Sequence, residues 1–417
     1  MPSSISSSDI TADGQDRRPH DGAGERPGAG GAPGDRYARQ TAADRPGIAQ
    51  PVPARPVPEQ PWGKILLGAV ALVVGLVGAW EWYWRDYGVH PSISNTFGLW
   101  AIQRRRIDAG EGDATVFLGA SRLYFDIQLP VWERLDGRPP IQLSFEGTSP
   151  LAAVEDLTAD PKFTGRLVIG VAPDLFFSGY QYRAGAIRYA HKESPSQRIG
   201  QWLSMHFIEP WFAFDDPDYA LQTVLARQTW PPRPGRAWHV SVRKLAETGA
   251  DRNTHLWDKV AKDAEYREMA RNIWRQEFQP SEDDPPPAVA SKVEKEQIER
   301  MAKAVAKLRA RGVKVLFVRM PSSGEYLAYE NREFPRARTW DALLAATGAP
   351  GIHFQDYPQL QGYYLPEWSH MPRAEGERFT AALYAIITHD FWGPGVAANS
   401  GAASSAMTPR GTGSVPP

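Results

Sequence analysis

Residues Val116–Phe125 read VFLGASRLYF: three large apolar residues, a Gly-Ala-Ser-Arg turn, and an apolar continuation. A short unbroken apolar run ending in small residues predicts a buried strand. The turn presents Ser121 beside Arg122. The same pattern recurs along the chain in ATVFLG (114–119), IQLSFEG (141–147), RLVIGVAP (166–173), VKVLFVRMP (313–321) and GIHFQD (351–356). Helical stretches separate these runs, so an α/β domain with a mostly parallel sheet is expected. In the stretch 293–308, Ile298, Met301, Val305 and Leu308 recur at three- and four-residue steps, which predicts one apolar helix face against that sheet.

The alternation breaks between about 178 and 290, where Trp, Tyr, Phe, Asp and Arg are abundant. IGQWLSMHFIEPWFAF and YREMARNIWRQEF read as helices, PPRPG and EDDPPPAVA as loops. This largely helical insertion is expected either to pack on the sheet or to form a substrate platform at the strand carboxyl ends, where open α/β sheets bind ligands. The ends of the chain differ again. Residues 1–61 and 394–417 are rich in Ser, Gly, Ala and Pro and poor in large apolar side chains, so both are expected to be disordered.

Residues 65–80, ILLGAVALVVGLVGAW, carry no charge and are flanked by Trp62, Trp82, Tyr83 and Trp84. With its aromatic flanks, 62–84 matches the roughly 20 residues needed to span a bilayer, and Trp and Tyr suit both interfaces. The arginines of the preceding arm outnumber those just after the span, so the amino terminus is expected in the cytoplasm and the large domain outside it. A connector, 85–111, would then lead to the α/β domain, 112–393.

The net charge of −1, with acids and bases nearly balanced, leaves no basic footprint for nucleic acid. There is no cysteine, which excludes disulfides, thiolate catalysis and cysteine-ligated metals. No phosphate loop, dinucleotide fingerprint or metal-ligand spacing is visible, so neither a cofactor nor a metal is expected.

A serine becomes a nucleophile only when a base lies within reach and a third group orients that base. His370, in the segment YLPEWSHMPRAEGERF after the last strand, is the candidate base, with Glu367 three residues before it. Asp356 is a possible alternative acid. Gly147, in SFEGTSP at the end of the second strand, could offer a backbone N–H to an oxyanion, as could Arg122. By itself Gly147 also fits an ordinary strand-to-helix turn. The segment PSSGEYLAYENREFPRARTW follows the fourth strand; its Tyr326 and Arg332, with Arg319 just before it, are candidate substrate-binding residues. His353, inside an apolar strand, reads as a core histidine.

GASR after the first strand, EGTS after the second and EWSH before the last helix together resemble the dispersed blocks of the SGNH, or GDSL-like, hydrolases. They are most similar to its membrane-anchored extracytoplasmic branch, which includes proteins of lipoteichoic-acid D-alanylation and alginate O-acetylation. The resemblance spans about Asp113 to Phe391, the insertion aside. It implies a flavodoxin-like three-layer α/β/α fold with Ser121 as nucleophile, His370 as base and Glu367 in place of the usual Asp. It further implies an O-acyltransferase or O-acylesterase working on acetyl groups of a cell-envelope or exported polysaccharide, and a multi-pass O-acyltransferase partner. Two positions depart from the pattern. The acid is Glu rather than Asp, and the strand end GVAPDLFF carries Asp174 where the family supplies an asparagine to the oxyanion hole. These departures leave open a catalytically impaired domain that serves as a polysaccharide-binding or assembly subunit.

Overall fold

The structure is a computed structural model that describes residues 60–227, 244–279 and 285–393. The expected disordered ends (but for residues 60 and 61) and the loop PPRPG lie outside the described residues, as do the first three residues of EDDPPPAVA; its last four, PAVA, begin a helix rather than continue the expected loop. The chain divides into two units. The one ending at Ala79 holds the apolar part of helix α1 (Trp62–Tyr87). That helix is long and apolar enough to cross a membrane, with a mean hydropathy of 2.0, and its Leu66, Leu72 and Val74 are exposed.

The second unit begins at Trp80. After α2 (Phe97–Arg106), strand β1 (Thr115–Leu118) leads directly into α3 (Ser121–Asp126) and α4 (Leu129–Asp136). Strand β2 (Ile141–Gln142), α5 (Leu151–Ala159), β3 (Arg166–Val171) and α6 (Pro173–Ser178) follow. The insertion then contributes α7 (Gly185–Lys192), α8 (Pro195–Phe207), α9 (Leu221–Ala226), a hairpin of β4 (Ala246–Thr248) and β5 (Thr254–Leu256), α10 (Asp258–Lys262) and α11 (Ala264–Glu277). The chain returns through α12 (Pro287–Ala310), β6 (Lys314–Arg319), α13 (Gly324–Glu333), α14 (Trp340–Thr347), β7 (Gly351–His353) and α15 (Arg373–Ile387).

The five strands of the main sheet are all parallel and lie in the order β2-β1-β3-β6-β7. This is a doubly wound arrangement whose switch point falls between β1 and β3, and ligands bind such sheets beyond the strand carboxyl ends. Ser121 follows β1 at that edge. Strand side chains alternate between two cores, as period-two geometry requires. Val116, Leu118, Leu167, Ile169, Val315 and Phe317 pack in one core together with α5, α12 and α14. Phe117, Val168, Leu316 and Val318 pack in the other with α4 and α15. Ile298, Met301, Val305 and Leu308 of α12 are all buried, as their spacing predicts.

Two expected strands are shorter than their apolar runs. Beyond Gln142 the chain still bonds to β1, Leu143 N–H to Phe117 O at 2.9 Å and Phe145 N–H to Gly119 O at 2.9 Å. But Gln142 Oε1 accepts from Ser144 N–H at 3.0 Å and breaks the regular ladder. In β7, His353 Nδ1 accepts from Gln355 N–H and turns the chain into a 3-10 segment, Phe354–Asp356. The β4–β5 hairpin inside the insertion was not expected from the sequence. A third core, built from Trp84, Tyr219, Leu256, Trp257 and Tyr266, holds that hairpin to the end of α1.

Candidate active site

Gly119 directly follows β1 and Gly170 lies on the adjacent β3, and a Cβ on either would come within 2.8 Å of the Leu123 Cβ. Their absent side chains let Leu123 wedge between β1 and β3, which brings α3 close to the strand ends. Ser121 is the first residue of α3 and is partly exposed, while the rest of the helix is buried. The amides of a first helical turn have no intrahelical acceptor, and Ser121 stands at that end of α3.

His370, the candidate base, is fixed from the other side. His370 Nδ1 lies 2.8 Å from Glu367 Oε1, and the His370 backbone N–H donates to the same oxygen at 2.7 Å. Glu367 Oε2 accepts from Trp274 Nε1 at 2.8 Å and from Ser369 N–H at 3.2 Å. A fully buried carboxylate satisfied by four donors is an acceptor only. It therefore holds the proton on His370 Nδ1 and leaves Nε2 basic. Nε2 is buried and has no hydrogen-bond partner among the described residues. The imidazole rests on Phe125 with ring centroids 4.5 Å apart. Phe125 is one turn after Ser121, on the same face of α3. His370, on the loop before α15, thus packs against the helix that Ser121 begins.

That loop is shaped by Trp368, which adopts φ of 73° and turns the chain so that Glu367 reaches back to two following amides. Ser323 N–H donates to Trp368 O at 2.9 Å, and Asp126 Oδ1 accepts from Met371 N–H at 2.8 Å. Burial pushes the Asp126 carboxyl well above the usual carboxylate range, and the charge of Glu367 adds to the shift.

Arg122 ties the serine helix to the segment after β6. Its Nε donates to Ser369 Oγ at 3.0 Å, its Nη1 to Glu330 Oε1 at 2.6 Å, and its Cζ sits 4.5 Å above the Tyr326 ring. Glu330 Oε2 also accepts from Arg319 Nη2 at 2.7 Å and Ser322 Oγ at 2.5 Å. Burial raises the Glu330 carboxyl, but Arg122 and Arg319 outweigh it and hold it below its ordinary range. Tyr326 donates its hydroxyl to Asp174 Oδ2 at 2.6 Å. Burial pushes Asp174 above the carboxylate range; Arg122 opposes the shift and Glu330 adds to it. Among the described residues Arg122 Nη2 and Asp174 Oδ1 are both buried without a partner, so two unused polar atoms remain there, one on α3 and one on a residue whose charge acts on Arg122.

Gly147 has φ of 53°, and nothing lies within 4 Å of where a Cβ would stand. Its backbone angle, rather than space, calls for glycine there. The bond from Phe145 to Gly119 places this turn beside the end of β1. Arg319 and Tyr326 are buried in the Glu330 network, whereas Arg332 is at the surface, paired with Glu333 at 2.7 Å. Asp356 forms a two-pronged pair with Arg336 at 2.6 and 2.7 Å, and Glu367 is the carboxylate that holds His370. His353 is buried against Trp340 and Phe354; burial, with Arg319 and Arg336 adding, lowers it to about 3, so it stays neutral in the core.

Sequence reasoning missed Trp274, Asp126 and Ser369. It also missed Arg252, which reaches from the hairpin to Gln142 O and Ser144 O at 2.8 and 2.9 Å. No local pattern announces these contacts, because each joins residues about a hundred or more apart or depends on the turn at Trp368. No group of three or more metal-ligating side chains occurs among the described residues. No protein-family model matches this chain, and no curated protein matches it significantly.

Proposed function

We propose that this protein is a single-pass membrane protein whose SGNH-like, flavodoxin-like domain is extracytoplasmic and transfers or hydrolyses an O-acyl group through an acyl-serine. The observation that carries this reading is His370, pinned at Nδ1 by Glu367, without a partner at Nε2 among the described residues, and packed against the helix that begins with Ser121. His370 Nε2 takes the Ser121 proton as Oγ bonds to the acyl carbon. The ester C–O bond then breaks, and His370 returns the proton to the departing alkoxide. Water or a sugar hydroxyl, deprotonated by the same nitrogen, releases the acyl group from Ser121. The N–H groups at the start of α3 and at Gly147 are the backbone donors to the oxyanion.

Asp174 completes the hole in this reading. Asp174 accepts from Tyr326 on Oδ2 and leaves Oδ1 without a partner among the described residues; burial favours its neutral form, and Arg122 opposes that. In that neutral form its carboxyl would present one donor where an asparagine would present its amide. The substrate class, acetyl esters of an envelope or exported polysaccharide, rests on the resemblance of the three blocks, as does a multi-pass acyltransferase partner.

The competing reading is a binding or assembly subunit, favoured by the absence of an asparagine at the strand end. Labelling with a fluorophosphonate separates the two. Modification of Ser121 that is lost in His370→Ala supports acyl transfer. A folded protein whose Ser121 stays unmodified leaves the binding subunit.

A further inference from the structure

Helix α8 is amphipathic in the wrong sense for water. It starts with a complete capping box, Ser194 with Gln197, and none of its residues is buried. Ile199, Trp202, Leu203 and Phe207 recur at three- and four-residue spacing on one face, and that face is the exposed one, with Ile199 59% and Phe207 61% accessible. The polar Gln201 lies on the protein side, accepting from Thr96 Oγ1 at 2.6 Å. The apolar surface continues through Ile208 and Trp211, the latter 64% accessible. An exposed contiguous apolar face of this size marks an interaction site.

The position of this surface says what covers it. Immediately after the apolar run that ends at Trp80, Glu81 accepts from the backbone N–H groups of Ala213 and Phe214, each at 3.0 Å. Arg85 Nη2 donates to Trp211 O at 2.8 Å, and Trp84 packs on Tyr219 with ring centroids 4.5 Å apart. The segment that follows α8 is therefore clamped to the first turn and a half of chain beyond the apolar run. Aromatic residues at such a point sit at the headgroup level. A helix with an aromatic and aliphatic face of this kind lies flat in that layer.

We propose that α8 and the following Ile208–Phe212 segment form an interfacial membrane-docking surface, with Ile199, Trp202, Leu203, Phe207 and Trp211 inserted at the headgroup–acyl boundary of the leaflet from which the folded unit emerges. The proposal rests on the membrane-spanning reading of α1 and is independent of the acyl-transfer chemistry. Its consequence is a folded domain held to the bilayer at two places, so that it does not swivel freely about its anchor.

The chain has no cysteine, so a single introduced thiol is unique. The full chain is reconstituted in phosphatidylcholine–phosphatidylglycerol nanodiscs with an environment-sensitive fluorophore on Trp202→Cys, Phe207→Cys, Val74→Cys or Glu377→Cys. Glu377 is an exposed residue of α15. Lipids carrying a nitroxide near the headgroup are expected to quench the labels at 202 and 207 by about twofold or more. The label at 377 should be unaffected, and the label at 74 should respond to a nitroxide deep in the chains. If 74 is quenched while 202 and 207 are not, the docking surface is overturned and the span stands. If 74 is also unquenched, both fail. Labels at 202 and 207 that are shielded from water yet unquenched mean that protein covers the face, which also overturns the proposal.

Discussion

Replacing Glu367 with Gln tests the site at the atom on which it depends. The carboxylate accepts from four donors: His370 Nδ1, His370 N–H, Trp274 Nε1 and Ser369 N–H. An amide offers one oxygen and one NH2 in their place, so either orientation sets a donor against two donors. With the NH2 toward His370, the ring must move its proton to Nε2, the nitrogen that should receive the Ser121 proton. With the NH2 toward Trp274, the indole and the Ser369 amide lose their acceptor inside the protein. Two buried donors left unpaired cost about 2–6 kcal/mol, at about 1–3 kcal/mol each. The wrong tautomer lowers turnover by about 10⁴-fold, the effect of the equivalent exchange in serine triads. The expected result is a folded but less stable protein whose rate of Ser121 phosphonylation and of acetyl-ester hydrolysis falls by about three to four orders of magnitude. Urea unfolding and stopped-time labelling with mass spectrometry read the two effects separately. Glu367→Gln that labels within about threefold of the parent would refute the assignment of Glu367 as the group that sets the His370 tautomer.

Three further outcomes follow from the neighbouring groups. Wild-type activity should fall as pH rises through the raised pKa of Asp174, because only its neutral form donates; in Asp174→Asn that alkaline limb should vanish with activity at neutral pH retained, whereas Asp174→Leu should lose about 10²–10³-fold in kcat. Glu330→Gln leaves Arg122 and Arg319 without their shared carboxylate in the interior, so urea melts should show a loss of about 3–5 kcal/mol, and a loss below about 1 kcal/mol would contradict the buried pairing. Asp126 holds its proton more tightly folded than unfolded, so stability should decline as pH rises from the ordinary carboxylate pKa toward the raised one; Asp126→Asn, which keeps an acceptor for Met371 N–H, should remove that decline in unfolding measured across pH.

The sheet was legible because its strands are buried on both faces and so appear as unbroken apolar runs, and α12 because its four apolar residues repeat at helical spacing. The β4–β5 hairpin was not, since its AET and THL strands lack any apolar alternation. Their pairing depends on contacts with α3 and with α1 rather than on local propensity. Within the site, the link from Glu367 to His370 could be anticipated because both atoms belong to one four-residue turn. Trp274 could not, because 93 residues separate it from Glu367. The Asp356 alternative shows the limit of proximity to a strand end as a criterion: Arg336, on the loop before α14, captures that carboxylate first. Likewise, Arg319 and Tyr326 have the residue types of a substrate site, yet their polar groups are already used by Glu330 and Asp174.

Helix α3 is six residues long, too short to persist without its surroundings. Four of its side chains answer to different parts of the chain: Leu123 to the two glycines, Tyr124 to Arg252, Phe125 to His370 and Asp126 to Met371. His370 lies 249 residues after Ser121 (370 − 121). During synthesis the serine is therefore made long before its proposed base, on a segment that has no reason to be helical until residues from both the insertion and the carboxyl-terminal loop arrive. Acquisition of a reactive serine should coincide with completion of the whole domain, so that nascent or truncated chains are chemically silent toward esters they meet on the way.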